Sequence, residues 1–296
     1  FSLTLRDDKL YGRGTADMKG FLAVALALVP EYIKLPLQKP LYLAFSYDEE
    51  VGCLGAPALA QHMAKHGIHP DIAVIGEPTE MRVINRHKSV RTFITTVTGH
   101  EAHSSAVDEG VSAIFIAADI IRFIERMQQN CREQTGNAAF DPPFTTLQVG
   151  QIKGGTAHNI IPRECSFEWE IRSLPGEDTD ALVAAIEAYA AERIKTAQRF
   201  FPGIAVHTLC HSAVPGLAVN TDNAMENLLM GLAGTNHMDA VSFATEAGIF
   251  QSHGVPTVVC GPGSILQAHK PNEYITISQL EACEAFLQML IRKLCS

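Results

Sequence analysis

Five side chains that could bind a metal or move a proton follow apolar stretches of the sequence, at the points where those stretches end. They are Asp17, Glu49, Glu50, Glu77 and His269. We interpret the stretches as strands of one mainly parallel sheet, whose carboxyl ends meet at one edge, where ligand sites in such sheets lie. Four carboxylates gathered there without a cation would repel one another and be forced to take up protons. The sequence therefore predicts a site for divalent metal at this edge.

A pair of divalent ions would remove the repulsion, because one carboxylate can bridge two ions. Carboxylates combined with an imidazole are ligands that suit Zn²⁺ or Co²⁺. The alternative for each acid taken singly is a solvated turn or a helix cap. The joint occurrence of five such groups at strand ends favours the metal site.

Length and composition indicate a globular protein with one large or two medium-sized domains. The chain has 296 residues, of which 47% are hydrophobic, and a net charge of −9. This acidic balance argues against nucleic-acid binding, which usually needs a basic face. The longest apolar run, residues 21–30, has about half the length of a membrane span, so no membrane association is expected. Seven scattered cysteines without CxxC spacing suit a reducing cytoplasm.

The sequence predicts one α/β domain with a mixed, mainly parallel sheet, built from two separate segments, residues 1–87 and 214–296. Apolar strands alternate there with helices, as in sheets that are covered on both faces. The predicted elements include a strand at Pro40–Tyr47 and helices over residues 21–33 and 223–232. We expect this discontinuous domain to carry the metal site and the catalytic residues.

The middle of the sequence, residues 88–213, follows another pattern, in which strands alternate apolar and polar residues. Helices are expected over residues 110–126 and 178–196, and a polar loop over 128–143. The resulting order β-α-β-β-α-β predicts an inserted ferredoxin-like α+β unit. We expect this unit to serve as a lid and dimerisation domain.

Six motifs, in the same order and over essentially the whole chain, resemble those of the di-zinc aminoacylase/carboxypeptidase metallopeptidases. They are YGRGTADMKG, DEEVG, GEPT, GHEAHSS, GGTAHNIIP and GPGSILQAHKPNE. Within that family, four segments look closest to the acetylornithine deacetylase group: GEPT, HSS, FATEAGIF and CGPGSILQAHKPNEY. The resemblance implies a hydrolase that cleaves the amide of a small N-acyl amino acid, foremost N-acetylornithine in arginine biosynthesis.

The resemblance also implies roles for single residues. Asp17 would bridge two zinc ions, which cobalt can replace, and a cis peptide bond would follow it. Glu50 and His269 would complete one metal site, and Glu77 would belong to the other. Glu49 would be the general base.

Further residues are implied in substrate binding, each with a plain structural alternative. His103 would donate a hydrogen bond to the oxyanion in the partner subunit's site of a homodimer; the alternative is a surface-turn histidine. Arg172 could grip a substrate carboxylate, or form a surface ion pair. Asn159 and Thr245 are weaker substrate candidates. The alternative for Asn159 is a side chain that stabilises a turn, and the alternative for Thr245 is a hydroxyl at the end of a strand. Glu246 could contact a substrate ammonium group.

One feature departs from the family pattern. The family's first metal ligand is a histidine in an HxD motif, and no HxD precedes Asp17 in this sequence. The site containing Glu77 would then have only Glu77 and Asp17 from this chain. We therefore expect an incomplete form of the enzyme, and leave open whether it binds one metal, two or none, and whether it is active.

Other functions remain open from the sequence. Within the family, they are a succinyl-diaminopimelate desuccinylase, a broader aminoacylase or a carboxypeptidase, which differ mainly in the acyl pocket. A hypothesis of another class is a truncated, non-catalytic dimerisation or binding protein, which the absent histidine favours.

Overall fold

The computed structural model describes residues 2–134, 136–220 and 224–295. These residues divide into two compact units. The first unit runs up to His87 and resumes at Leu217, and the second unit spans Lys88–Gly216.

The described ranges contain eleven strands in three sheets. The strands are β1 (Thr4–Arg6), β2 (Lys9–Tyr11), β3 (Ala73–Ile75), β4 (Ile84–His87), β5 (Val90–Thr98), β6 (Thr146–Gly154), β7 (Glu164–Arg172), β8 (Ala205–Val214), β9 (Asp239–Val241), β10 (Thr257–Val259) and β11 (Tyr274–Thr276).

The same ranges contain eight α-helices, none of which is both long and apolar enough to cross a membrane. They are α1 (Gly20–Ala27), α2 (Val29–Tyr32), α3 (Ala56–Lys65), α4 (Ala113–Glu133), α5 (Thr179–Gln198), α6 (Ala224–Leu232), α7 (Ala247–Ser252) and α8 (Ile277–Lys293).

The second unit has the predicted element order, β5-α4-β6-β7-α5-β8. Its four strands form one antiparallel sheet in the order β6-β7-β5-β8. Alternate residues of β7, among them Phe167, Trp169 and Ile171, are buried and pack with apolar side chains of α4 and α5 in one core. The period-two pattern that predicted the strand is therefore the pattern of its buried face.

Helix α4 is longer than predicted, because it continues past residue 126 to Glu133. The first part of the predicted loop 128–143 is thus helical. Met127 and Cys131 are buried on the core side of α4 and extend its apolar face. Their packing favours the helix, although the residues between them are polar.

The first unit contains two sheets, where one was expected. Strands β3, β10, β4 and β9 form a mixed sheet with two parallel pairs and one antiparallel pair. Strand β2 belongs instead to a three-stranded antiparallel sheet with β1 and β11. The mixed α/β character is confirmed, whereas the assumption that all site residues follow strands of one sheet is wrong.

The predicted strand at Pro40–Tyr47 is absent, since no described strand lies within this stretch. Its side chains are also largely exposed, with Phe45 at 50% and Tyr47 at 65%. An apolar sequence favours a strand, but a strand also needs a neighbour that bonds its backbone groups, and no described strand pairs with this stretch.

Two helix predictions need smaller corrections. The helix expected over residues 21–33 is divided into α1 and α2 around Leu28, next to Pro30, which lacks an N–H for the helical ladder. Helix α6 begins at Ala224, while the predicted start at Asn223 lies outside the described residues.

Lys88 provides a test of the second unit's stability. Its side chain is 1% exposed, and its Nζ donates to the carbonyl oxygens of Pro142 (2.8 Å) and Phe144 (2.6 Å). We expect Lys88→Met to lower the free energy of unfolding by about 2 kcal/mol or more, because both carbonyls lose a charged donor.

Chemical denaturation measures this change. Lys153→Met, at an exposed position of β6, is the matched control and should shift the free energy by no more than about 0.5 kcal/mol. Equal stabilities of the two variants would show that the buried ammonium contributes nothing.

Candidate metal centre

Three of the predicted metal ligands converge in the first unit. Nε2 of His269 lies 2.8 Å from Oε2 of Glu50 and 3.3 Å from Oδ2 of Asp17. One ligand atom from each residue lies within 4.8 Å of the other two. Within the described part of the chain, these are the only three histidine, cysteine or acidic side chains grouped so closely.

The group fits a divalent cation. It offers two carboxylates and one imidazole, the donor types that zinc binds in proteins. The same atoms without a cation place two acids against one histidine. A bound divalent ion would balance this charge and engage all three groups at once.

Glu77 extends the site beyond these three residues. Its side chain is almost fully buried and is hydrogen-bonded to that of Asp17. Burial, followed by the negative charges of Asp17 and Glu49, raises the pKa of Glu77 well above its usual range. A buried carboxylate beside a second one needs either a proton or a cation, so Asp17 and Glu77 together fit a further metal position.

Glu49 lies beside this group without being part of it. Burial raises the pKa of its carboxyl group, and the charge of Glu50 adds to the effect. The thiol of Cys53 donates to Oε1 of Glu49 at 3.4 Å and partly offsets the rise. The two adjacent glutamates therefore occupy different surroundings, with Glu50 against His269 and Glu49 turned towards Cys53.

The loop that carries Asp17 is held by a residue to which the sequence assigned no role. Glu273 is 3% exposed, and its carboxylate accepts hydrogen bonds from the backbone N–H groups of Gly14 (2.9 Å), Ala16 (2.9 Å) and Asp17 (3.1 Å). The guanidinium of Arg13 donates to it as well, at 2.9 Å. Glu273 closes the motif GPGSILQAHKPNE, which is the only sequence signal that could have drawn attention to it.

The backbone around the site has two further special features. The Asp17–Met18 peptide bond is cis, which confirms what the family resemblance implied. Gly76 and Gly261 bring the ends of β3 and β10 so close that a Cβ atom on Gly261 would lie 2.1 Å from the carbonyl oxygen of Gly76. This close approach, which requires glycine, fixes the segment that begins with Glu77.

Two of the substrate candidates, Thr245 and its neighbour Glu246, lie in the first unit. Thr245 is buried, and its Oγ1 accepts from the backbone N–H of Ala247 at 3.1 Å, at the start of α7. The structural alternative considered for Thr245 is a strand-end hydroxyl; the structure places its hydroxyl instead just before helix α7, well after the end of β9.

The substrate candidates His103, Asn159 and Arg172 lie in the second unit. Nδ1 of His103 is exposed and lies 2.8 Å from Oγ of Ser105. Asn159 is its neighbour, since the backbone N–H of Ser104 donates to the carbonyl oxygen of Asn159 at 3.0 Å. Arg172 forms two hydrogen bonds with the carboxylate of Glu170, at 2.8 and 3.1 Å, which is the surface ion pair expected if Arg172 binds no substrate.

Comparison with known proteins connects this geometry to a family. The model of peptidase family M20/M25/M40 matches residues 1–293. The chain belongs to this family. An acetylornithine deacetylase of Photorhabdus laumondii is 35% identical over 295 residues, which are 100% of this chain and 74% of that protein. The resemblance seen in the six motifs is thereby confirmed.

Solved structures share the fold of this M20 chain. Aminopeptidase PepT of Bacillus cereus has a TM-score of 0.73 at 21% identity, with 100% of this chain and 76% of PepT covered. The YXEP protein of Bacillus subtilis, a dinuclear metal-binding peptidase of the M20 family, has a TM-score of 0.63 at 16% identity, with 92% and 69% covered. The chain is thus an M20 hydrolase whose donor groups fit a divalent metal cofactor.

Glu273 gives a test of how the metal centre is positioned. We expect Glu273→Gln to lower the free energy of unfolding by about 2 to 4 kcal/mol, because an amide cannot accept from all four donors of the Asp17 loop. Zinc affinity should fall by roughly 10- to 100-fold, since a ligand's supporting hydrogen bonds are lost. Denaturation and competition with a chromophoric zinc chelator measure the two effects.

The matched control is Glu281→Gln, at an exposed position of α8, which should change neither quantity. Unchanged zinc affinity in a destabilised Glu273→Gln protein would restrict Glu273 to a role in folding.

Proposed function

We propose that the protein is a zinc-dependent amidohydrolase that releases acetate from N-acetylornithine, a step of arginine biosynthesis. The observation that carries this proposal is the convergence of Asp17, Glu50 and His269, with Glu77 against Asp17 and Glu49 alongside. The identity to acetylornithine deacetylases, 35% along the whole chain, supports the choice of substrate.

In this proposal Asp17, Glu50 and His269 hold one divalent ion, and Asp17 with Glu77 contributes two ligands to a second. Bound zinc supplies Lewis acidity, which polarises an amide carbonyl and makes water more acidic. Cobalt, which accepts the same ligand types, would substitute for it.

Glu49 would act as the proton carrier. Hydrolysis adds the hydroxyl group of water to the acyl carbon and a proton to the leaving amine. Glu49 is not part of the metal-binding group, so its carboxylate is available to take that proton from water and deliver it to the nitrogen. The half-buried position beside Cys53 keeps the group close to the metal ligands and away from bulk solvent.

In this proposal the second unit would be a lid and dimerisation domain, and the protein a cytoplasmic homodimer. His103 would donate a hydrogen bond to the developing oxyanion in the partner's site, which is worth about 3 kcal/mol in comparable enzymes. Arg172 would exchange Glu170 for the substrate carboxylate. Asn159 and Thr245 would contribute further polar contacts.

Turnover and metal content test the proposal together. We expect the protein to contain zinc by elemental analysis and to release acetate from N-acetylornithine faster than succinate from N-succinyl-diaminopimelate. The same assay with N-acetylmethionine or a dipeptide distinguishes a broader aminoacylase or a peptidase. Bound zinc without hydrolysis of any N-acyl amino acid would instead support a non-catalytic binding protein.

Glu49→Gln is the internal control of that experiment. This variant should retain zinc and lose turnover by roughly 100-fold or more, because the proton carrier is removed while the ligands remain. Glu50→Gln should lose zinc, since it removes a ligand. Loss of zinc from Glu49→Gln would mean that the roles of the two glutamates are assigned wrongly.

The role of His103 can be tested by mixing two inactive variants, Glu49→Gln and His103→Ala. If His103 acts in the partner's site, a mixed dimer has one site in which both residues are intact. Mixing should then restore up to about a quarter of wild-type activity, because half of the dimers are mixed. No recovery, with dimer exchange verified by mass spectrometry, would place His103 within its own subunit or outside catalysis.

A further inference from the structure

Glu246 is a buried carboxylate near the metal centre that the proposed chemistry does not use. It is 7% exposed and directly precedes α7. Its Oε2 accepts a hydrogen bond from Oγ of Ser46 at 2.7 Å. Its Oε1 is buried and has no hydrogen-bond partner among the described residues.

The surroundings of Glu246 place it next to the proton-carrying and metal-binding carboxylates. Ser46, its hydrogen-bond donor, is three residues before Glu49 in the sequence. The negative charge of Glu246 contributes to the raised pKa of both Glu49 and Glu77, and such an effect requires a short separation. Glu246 nevertheless lies outside the metal-binding group.

A carboxylate in this position lacks a positive partner. None of the ion pairs among the described residues involves Glu246. A buried acceptor without a donor is costly, and the cost is removed by any group that brings an N–H to it. A cationic donor is the best complement, because hydrogen bonds between charged groups are the strong ones.

We propose that Oε1 of Glu246 receives the side-chain ammonium group of the substrate, so that the enzyme selects N-acyl amino acids with a cationic side chain. This inference rests on the proposed hydrolase function, which it deepens by naming what determines the substrate class. A neutral substrate of the same length would leave Oε1 without a donor, and sites of this kind discriminate strongly against such analogues.

N-acetylornithine and N-acetylnorvaline are a matched pair for the test, because they differ only in the terminal ammonium group. With the zinc-loaded wild-type protein, we expect kcat/KM for N-acetylornithine to exceed that for N-acetylnorvaline by roughly 10- to 100-fold. In Glu246→Gln this preference should be lost, through a higher KM for N-acetylornithine. A change in the pKa of Glu49 would affect both substrates alike, so the ratio of the two kcat/KM values is the readout.

Two further variants guard against a merely structural effect. Glu246→Asp keeps the charge and should retain part of the preference for N-acetylornithine. This variant tests the role of the charge even if Glu246→Gln does not fold. Ser46→Ala removes the donor to Oε2 but leaves the carboxylate, so the preference for the cationic substrate should persist. Circular dichroism and thermal unfolding of each variant show whether the fold is intact.

The outcomes separate this inference from the proposed function. The role of Glu246 would be overturned if kcat/KM fell equally for both substrates in a folded Glu246→Gln protein, or if the wild type showed no preference for N-acetylornithine. Either result would leave the hydrolase function standing. Failure of the zinc-loaded wild type to hydrolyse either substrate would overturn the proposed function itself.

Discussion

Repulsion between carboxylates is the constraint on which the site depends. Asp17 lies in one group with Glu50 and His269, and the buried Glu77 is hydrogen-bonded to it; among the described residues, His269 is the one histidine in this group. Carboxylates this close repel one another unless a cation binds them or they take up protons. The backbone that carries them must therefore be held in place by other contacts. Glu273 holds the Asp17 loop in place by accepting hydrogen bonds from three of its backbone N–H groups. The acidic site is thus supported by a further carboxylate, whose own charge is balanced by hydrogen-bond donors.

The sequence predicted those elements whose formation depends on local pattern. In the second unit, the two helices and the four strands occur in the predicted order, because each carries an apolar face of regular period that one common core buries. Pro40–Tyr47 shows the limit of such reasoning. Its apolar residues match a buried strand, but pairing depends on a partner that the pattern cannot specify, and no described strand pairs with it.

The structure brings Asp17, Glu50 and His269 into one group, although the strands of one sheet from which we expected the five site residues to meet are not found among the described residues. Asp17 follows a strand of the antiparallel sheet, Glu50 follows a stretch without strand structure, and only Glu77 follows the mixed sheet directly. The residue types and the motif order carried the prediction. Glu273 could not be found in this way, because its role depends on contacts across more than 250 residues of sequence, which composition and periodicity do not encode.

The neighbouring glutamates show how one short segment can serve two kinds of chemistry. Asp48, just before them, has a left-handed backbone with φ 54°, and the chain turns there so that the two carboxylates face different surroundings. Glu50 meets His269 at an exposed position, while Glu49 turns inward towards Cys53 and the neighbourhood of Glu246. A carboxylate bound to a metal has its lone pairs engaged and is a weaker base, so binding and proton transfer require separate groups. In the proposed mechanism, the adjacent residues Glu49 and Glu50 on a turned backbone would provide them within one site.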